Sequence, residues 1–271
     1  MAVLEGTRVV TMALNAPGPV AAARLRDAGS SVIKVEPPSG DPLEQFCPGW
    51  YRELHDGIAV ERVDLKSDDG ARRMRALLAD ADLLLSSQRP SALRRLALDA
   101  ASLRAHDATR RVRSLNIVGE IARPEVAGHD LTYLASAGLL GRDMPRTLVA
   151  DVLGAEHAFA VALQLLREPP GSAAEVGLFD SLAALAAPLR HGLTRAGALL
   201  GGGLPGYNIY DTREGRIAIA ALEPHFQARV YALLGLARGT DLSAIMRSRT
   251  AAEWEAWGEA HDVPIAVCQD P

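Results

Sequence analysis

Arg8-Val9-Val10-Thr11-Met12-Ala13-Leu14, then Ala16-Pro17-Gly18-Pro19, then Val20 to Ala28, Gly29 and Ser31-Val32-Ile33-Lys34-Val35 follow one another near the start of the chain. The first run is short and apolar and reads as a buried strand. The Pro-Gly-Pro phrase is a turn, and Val20 to Ala28 reads as a helix that Gly29 stops. The Ser31–Val35 run is a second strand, ended by Pro37-Pro38. Strand, turn, helix and strand in that order predict two parallel strands joined by a crossover. A helix from about Asp68 to Leu78, a strand Asp82-Leu83-Leu84-Leu85-Ser86 and a further strand over Val112 to Val118 repeat the pattern. The expected architecture is an α/β open sheet.

Beyond it, Val149 to Arg167 has helical periodicity and ends at Glu168-Pro169-Pro170-Gly171. Phe179 to Leu193 reads as another helix, and Gly201-Gly202-Gly203 as a flexible break. A strand at Arg216–Ala220 and helices near His225–Leu234 and Ala251–His261 follow. These changes place a domain boundary near residue 195, giving a large domain over 1–194 and a smaller one over 195–271.

Bulk properties exclude several classes. The 271 residues carry a net charge of −4, which leaves no electrostatic footprint for nucleic acid. Lysine occurs only at Lys34 and Lys66. The two cysteines, Cys47 and Cys268, form neither a disulfide framework nor a metal quartet. No stretch approaches the roughly 20 apolar residues of a membrane span. The start, Met1-Ala2-Val3-Leu4-Glu5, has no basic region followed by an apolar run, so no secretory signal is read. A cytoplasmic protein is expected.

Three polar groups stand out against apolar surroundings. His129 lies in Ala127-Gly128-His129-Asp130-Leu131-Thr132-Tyr133-Leu134, Asp151 in Ala150-Asp151-Val152, and Glu223 in Ala221-Leu222-Glu223-Pro224. An imidazole and two carboxylates in such settings point to proton transfer in a dry site. Each has a structural alternative: a satisfied histidine, a helix-start acid at Asp151, and a first-turn acid ahead of Pro224. His55, His106, His157, His191, His225 and His261 read as structural or surface residues.

Phrases along nearly the whole chain resemble the class III CoA-transferase family, which includes formyl-CoA transferase, carnitine CoA-transferase and α-methylacyl-CoA racemase. They are Leu4-Glu5-Gly6-Thr7-Arg8-Val9-Val10, Gly18-Pro19, Val32-Ile33-Lys34-Val35-Glu36-Pro37-Pro38, Gly40-Asp41-Pro42, Asp64-Leu65-Lys66-Ser67, Ala79-Asp80-Ala81-Asp82 and Arg89-Pro90. Gly128-His129-Asp130, Asp151 and Glu223-Pro224 are similar to the racemase branch; transferases commonly carry Tyr at the His129 position. The resemblance implies a large Rossmann-like domain with an open parallel sheet and a smaller α+β C-terminal domain. In relatives a C-terminal return segment interlocks two subunits, and a sequence that stops at Pro271 is expected to be without it.

On that resemblance, the substrate is a 2-methylacyl-CoA thioester, and CoA enters only as part of it. No metal and no redox cofactor is implied. A thioester acidifies its α-carbon, and racemisation removes a proton from one face and returns one to the other. The resemblance gives His129 one face, with Glu223 orienting it, and Asp151 the other. The start of a helix at Asp151 would leave backbone N–H groups for the enolate oxygen. Lys66, Arg89, Ala92 and Arg95 match CoA-binding positions of relatives. Where the family carries Asn-Arg-Gly-Lys, this chain has His55-Asp56-Gly57-Ile58, and Ser86-Ser87-Gln88-Arg89-Pro90-Ser91 replaces Glu-Asn-Phe-Arg-Pro-Gly. A homodimer is expected. Two alternatives remain: acyl transfer through an Asp151-linked anhydride, and a degenerate member that binds without turnover or takes a carrier-bound thioester.

Overall fold

Parallel strands β1 (Arg8–Thr11), β2 (Ser31–Glu36), β3 (Ala59–Arg62), β4 (Leu83–Ser86), β5 (Arg113–Val118) and β6 (Ala173–Gly177) form a six-stranded sheet of order β3-β2-β1-β4-β5-β6. The computed structural model describes residues 2–269; Met1 at one end and Asp270 and Pro271 at the other, the outer ends of the two expected domains, lie outside the described residues. Helices α1 (Pro17–Asp27), α2 (Pro42–Phe46), α3 (Pro48–His55), α4 (Asp68–Ala79), α5 (Pro90–Arg95), α6 (Ala100–Ala105), α7 (Asp130–Ser136), α8 (Val149–Leu165) and α9 (Leu178–Leu185) lie between or after the strands.

Successive side chains of a strand face opposite sides, so each central strand feeds two cores. Val9, Leu83, Leu85, Leu115 and Ile117 pack with α1 and α8 on one face. Val10, Met12, Val35 and Leu84 pack with Met74 and Leu78 of α4 and with Leu93 of α5 on the other. Burying each Val or Leu contributes about 1.5–3 kcal/mol. Small residues let α8 sit close: Ala155, Ala158 and Ala162 are fully buried, and a Cβ on Gly154 would lie 2.3 Å from Leu178 Cδ2.

The chain divides into two compact units, the first ending at Ala186 and the second beginning at Ala187. The division falls short of residue 195 because the expected Phe179–Leu193 helix is interrupted. Pro188 has no N–H to donate and is tolerated only in a first turn, so α9 stops at Leu185 and a short α10 (Ala187–Arg190) begins anew. Strand β6 carries little sequence signal. Its Ala-Ala-Glu-Val-Gly has one β-branched residue, and its place comes from pairing with β5.

In the second unit, β7 (Tyr207–Asp211), β8 (Arg216–Ala220) and β9 (Ile265–Val267) form an antiparallel sheet. Ile217 and Ile219 pack with Val230 of α11 (Pro224–Leu234), Met246 of α12 (Ser243–Met246) and Trp254 of α13 (Ala251–His261). A reciprocal Thr250–Glu253 cap opens α13, and Trp254 Nε1 donates to the Met246 carbonyl at 2.8 Å.

Candidate active site

β1 and β4 are neighbours, yet the helices that follow them pack on opposite faces of the sheet: α1 on one, α5 on the other. Such a switch opens a crevice beyond the carboxyl ends of the strands. A cavity of about 310 Å³ lies there. Leu14 and Asn15 beyond β1, Ser87 and Gln88 beyond β4, and the Ile117–Gly119 end of β5 line it.

Polar side chains tie these strand ends together. Leu14 N–H donates to Ser87 Oγ at 3.1 Å, and Gln88 Nε2 donates to the Met12 carbonyl at 2.9 Å. Asn116 Nδ2 donates to the Gln88 carbonyl at 3.0 Å. Asn15 holds a left-handed backbone (φ 64°), which Asn tolerates better than most residues, and its N–H donates to Asp41 Oδ1 at 2.9 Å.

His129 and Asp151 both line this cavity. His129 is the N-cap residue of α7, and Asp151 sits in the first turn of α8. Asp130, only 5% exposed, links the two helix starts. Its Oδ1 accepts the N–H groups of Ala150 at 2.6 Å and Asp151 at 3.1 Å. Those amides are therefore occupied by a side chain, and the expectation that they await an enolate oxygen is corrected.

The two candidate bases are unequal. Asp151 is half-buried, and burial first, then the neighbouring Asp130 carboxylate, pushes its carboxyl up to about 6; His129 opposes part of that rise. His129 itself is exposed, so the expected dryness holds on the carboxyl side and not at the imidazole.

Glu223 is an exposed residue heading α11 in the second unit and is not among the residues lining this cavity. Arg89 lines the cavity, and Ala92 and Arg95 follow it in α5, half-buried and exposed respectively. Lys66 is exposed on the turn after β3 and does not line the cavity. The sequence reading missed the roles of Asp130, Tyr133 and Asn15. A signal for Tyr133 exists: it stands four residues after His129, the spacing that brings side chains onto one side of a helix.

The sequence profile of CoA-transferase family III matches residues 4–271. The chain belongs to CoA-transferase family III. It is 30% identical to the α-methylacyl-CoA racemase of Mus musculus over 93% of its own length and 69% of the relative's. It is also 30% identical to a probable fatty acyl-CoA transferase of Mycobacterium tuberculosis, over 64% of this chain and 49% of that one. The crystal structure of a CaiB/BaiF family protein from Brucella suis superposes with a TM-score of 0.80 at 22% identity, covering 98% of this chain and 84% of that one. That likeness carries the fold. The named relatives divide between racemases and CoA-transferases, so the family is enzymatic and its chemistry is not single. Among the described residues, no helix is long and apolar enough to cross a membrane.

In this family member a second charged cluster adjoins the cavity wall. Lys34, Glu36 and Asp41 are fully or almost fully buried. Lys34 Nζ lies 2.5 Å from Asp41 Oδ2, 3.0 Å from Glu36 Oε1 and 2.8 Å from His55 Nε2. His55 Nδ1 lies 2.6 Å from the Tyr51 carbonyl, which fits a neutral ring donating there and accepting from the ammonium. Burial, then the Lys34 charge, lowers the His55 pKa, consistent with that form. Glu36, Asp41 and His55 have the geometry of a metal-ligand group, and the cation among them is Lys34's own ammonium. Asp41 thus serves twice, holding Lys34 with one oxygen and the Asn15 and Leu43 amides with the other.

Proposed function

We propose that this chain catalyses 1,1-proton transfer at the carbon α to an acyl-CoA thioester, racemising or epimerising 2-methylacyl-CoA through an enolate. The observation that carries this reading is the pairing of an imidazole and a carboxyl of raised pKa on one cavity at the sheet's switch point. A carboxyl near 6 divides its time between acid and base around neutrality, which proton abstraction and return both require. An exposed imidazole lining the same cavity stands in contact with solvent. Asp130 acts as a positioning residue, fixing the Asp151 backbone while its charge raises the Asp151 carboxyl. The similarity to the mouse and human racemases supports the substrate class.

In this reading Arg89 and Arg95 contact CoA phosphates beside the cavity, with Ala92 between them, and Lys66 offers a further cation. No metal or redox cofactor is needed in this reading. The family resemblance alone supports the homodimer and the cytoplasmic placement that belong to it.

The test is proton NMR of a 2-methylacyl-CoA with the protein in heavy water. Loss of the α-proton signal without any acceptor acid is the expected result, slowed about 10²–10⁴-fold in Asp151→Asn and in His129→Ala. Acyl transfer is the second reading, favoured by the relatives named as CoA-transferases. There Asp151 attacks the thioester carbonyl, CoA thiolate leaves, and an acyl anhydride remains on the protein. Acyl-enzyme trapped on Asp151, with no wash-in of deuterium, would decide for transfer.

A further inference from the structure

If the Asp151 and Ala150 amides are held by Asp130, some other donor must meet the negative charge that develops on a thioester oxygen. The next amide of α8 is also occupied, since Val152 N–H donates to the Leu148 carbonyl at 3.0 Å. Tyr133 lines the same cavity as His129 and Asp151. Its side chain is nine-tenths buried (9% exposed), and among the described residues its hydroxyl has no hydrogen-bond partner. Among the described residues the buried side-chain atoms without a partner are Ser30 Oγ and Glu36 Oε2, so the Tyr133 ring is buried while its oxygen reaches open space. A group left in that condition on a cavity wall is set to meet a ligand.

The backbone around it is cut to fit that oxygen. A Cβ on Gly119, just beyond β5, would lie 2.2 Å from the Tyr133 hydroxyl; one on Gly128, just before His129, would lie 2.6 Å from it. Two separate segments therefore leave out a side chain where the phenol tip passes. Burial, and after it the Asp151 carboxylate, raises the Tyr133 pKa, so the phenol keeps its proton and remains a donor.

We propose that the Tyr133 hydroxyl donates a hydrogen bond to the thioester oxygen of the substrate and holds the enolate formed there. The step balances without net transfer from tyrosine. The α C–H bond breaks, its electron pair moves into a C=C bond, the carbonyl π pair moves onto oxygen, and His129 or Asp151 takes the proton. This inference rests on the proton-transfer reading and assigns it a catalytic donor.

The test is Tyr133→Phe, assayed by deuterium wash-in into a 2-methylacyl-CoA. The expected result is a fall of about 10²–10³-fold in kcat, within the range for removing one oxyanion donor, with KM changed less than about threefold. The thermal midpoint should not drop, because the lost oxygen has no protein partner. A kcat within about twofold of wild type overturns the proposal while wild-type wash-in leaves the proton-transfer reading standing. Absence of wash-in by wild type overturns both. A second variant guards against a merely structural effect. Gly119→Ala displaces the phenol and should lower kcat on its own, yet add little to Tyr133→Phe, because the oxygen it meets is gone. Full additivity of the two would also overturn the proposal.

Discussion

Two places in the first unit hold carboxylates out of water, and they resolve the problem in opposite ways. Around Lys34, the carboxylates of Glu36 and Asp41 share one ammonium, His55 accepts its remaining proton, and the Tyr51 hydroxyl donates to Glu36 at 2.8 Å. At the cavity, Asp130 is satisfied by two backbone amides, while Asp151 beside it has, among the described residues, no lysine or arginine paired with it and rises to about 6. Desolvated charge that is paired becomes scaffold; desolvated charge left beside a like charge becomes reactive. The first arrangement supports the second, since Asp41 also fixes Asn15 on the cavity wall.

Removing the cation at the first place should have the largest effect. Lys34→Met leaves Glu36 and Asp41 buried without compensation and is expected to lower unfolding free energy by about 3–5 kcal/mol, measured by urea denaturation at pH 7. Wild-type stability in that variant would show that the cluster is not the scaffold described. At the second place the same kind of change should have the opposite sign. The folded Asp151 pKa of about 6 lies above its ordinary value of 3.8, so the folded state holds the extra proton between those values. Its contribution to stability is fully present below pH 4 and is lost as pH rises through 6. Asp151→Asn should therefore be more stable than wild type above pH 6 by about 1–3 kcal/mol, with the advantage vanishing near pH 4 in thermal scans. A stabilised, inactive variant would mark Asp151 as a residue kept for chemistry at a cost to folding.

The smallest effect sharpens the contrast within the cavity. Asp130→Asn keeps a carbonyl oxygen for the α8 amides and removes the negative charge. The Asp151 carboxyl should move down toward the ordinary range, and the acidic limb of the pH–rate profile should move to lower pH with it. Because burial is the larger cause, the shift should be partial. A profile that does not move would remove Asp130 from the electrostatics of the site.

Much of the large unit was legible from local pattern. Short apolar runs in β1, β2, β4 and β5 and the Gly29 stop of α1 announce parallel strands with crossovers, because hydrophobic pattern and turn chemistry act over a few residues. The small strand β6 and the break at Pro188 were not: Ala173–Gly177 becomes a strand only because β5 offers an open edge. In the candidate site, His129 and Asp151 could be singled out as a titratable ring and an acid in apolar runs. That His55, at the end of helix α3, completes an ammonium site could not, since its partner Lys34 is contributed by strand β2.

By itself the sequence determined the α/β class, the parallel order of the first strands and the residue types available for proton transfer, because these depend on short-range periodicity and side-chain chemistry. Tertiary structure alone decided that His129 and Asp151 share a cavity, that Asp130 occupies the α8 amides, and that Tyr133 is left with an unused hydroxyl. Those outcomes depend on which helix starts meet, and burial and hydrogen bonding between distant segments exist only once the sheet has brought them together.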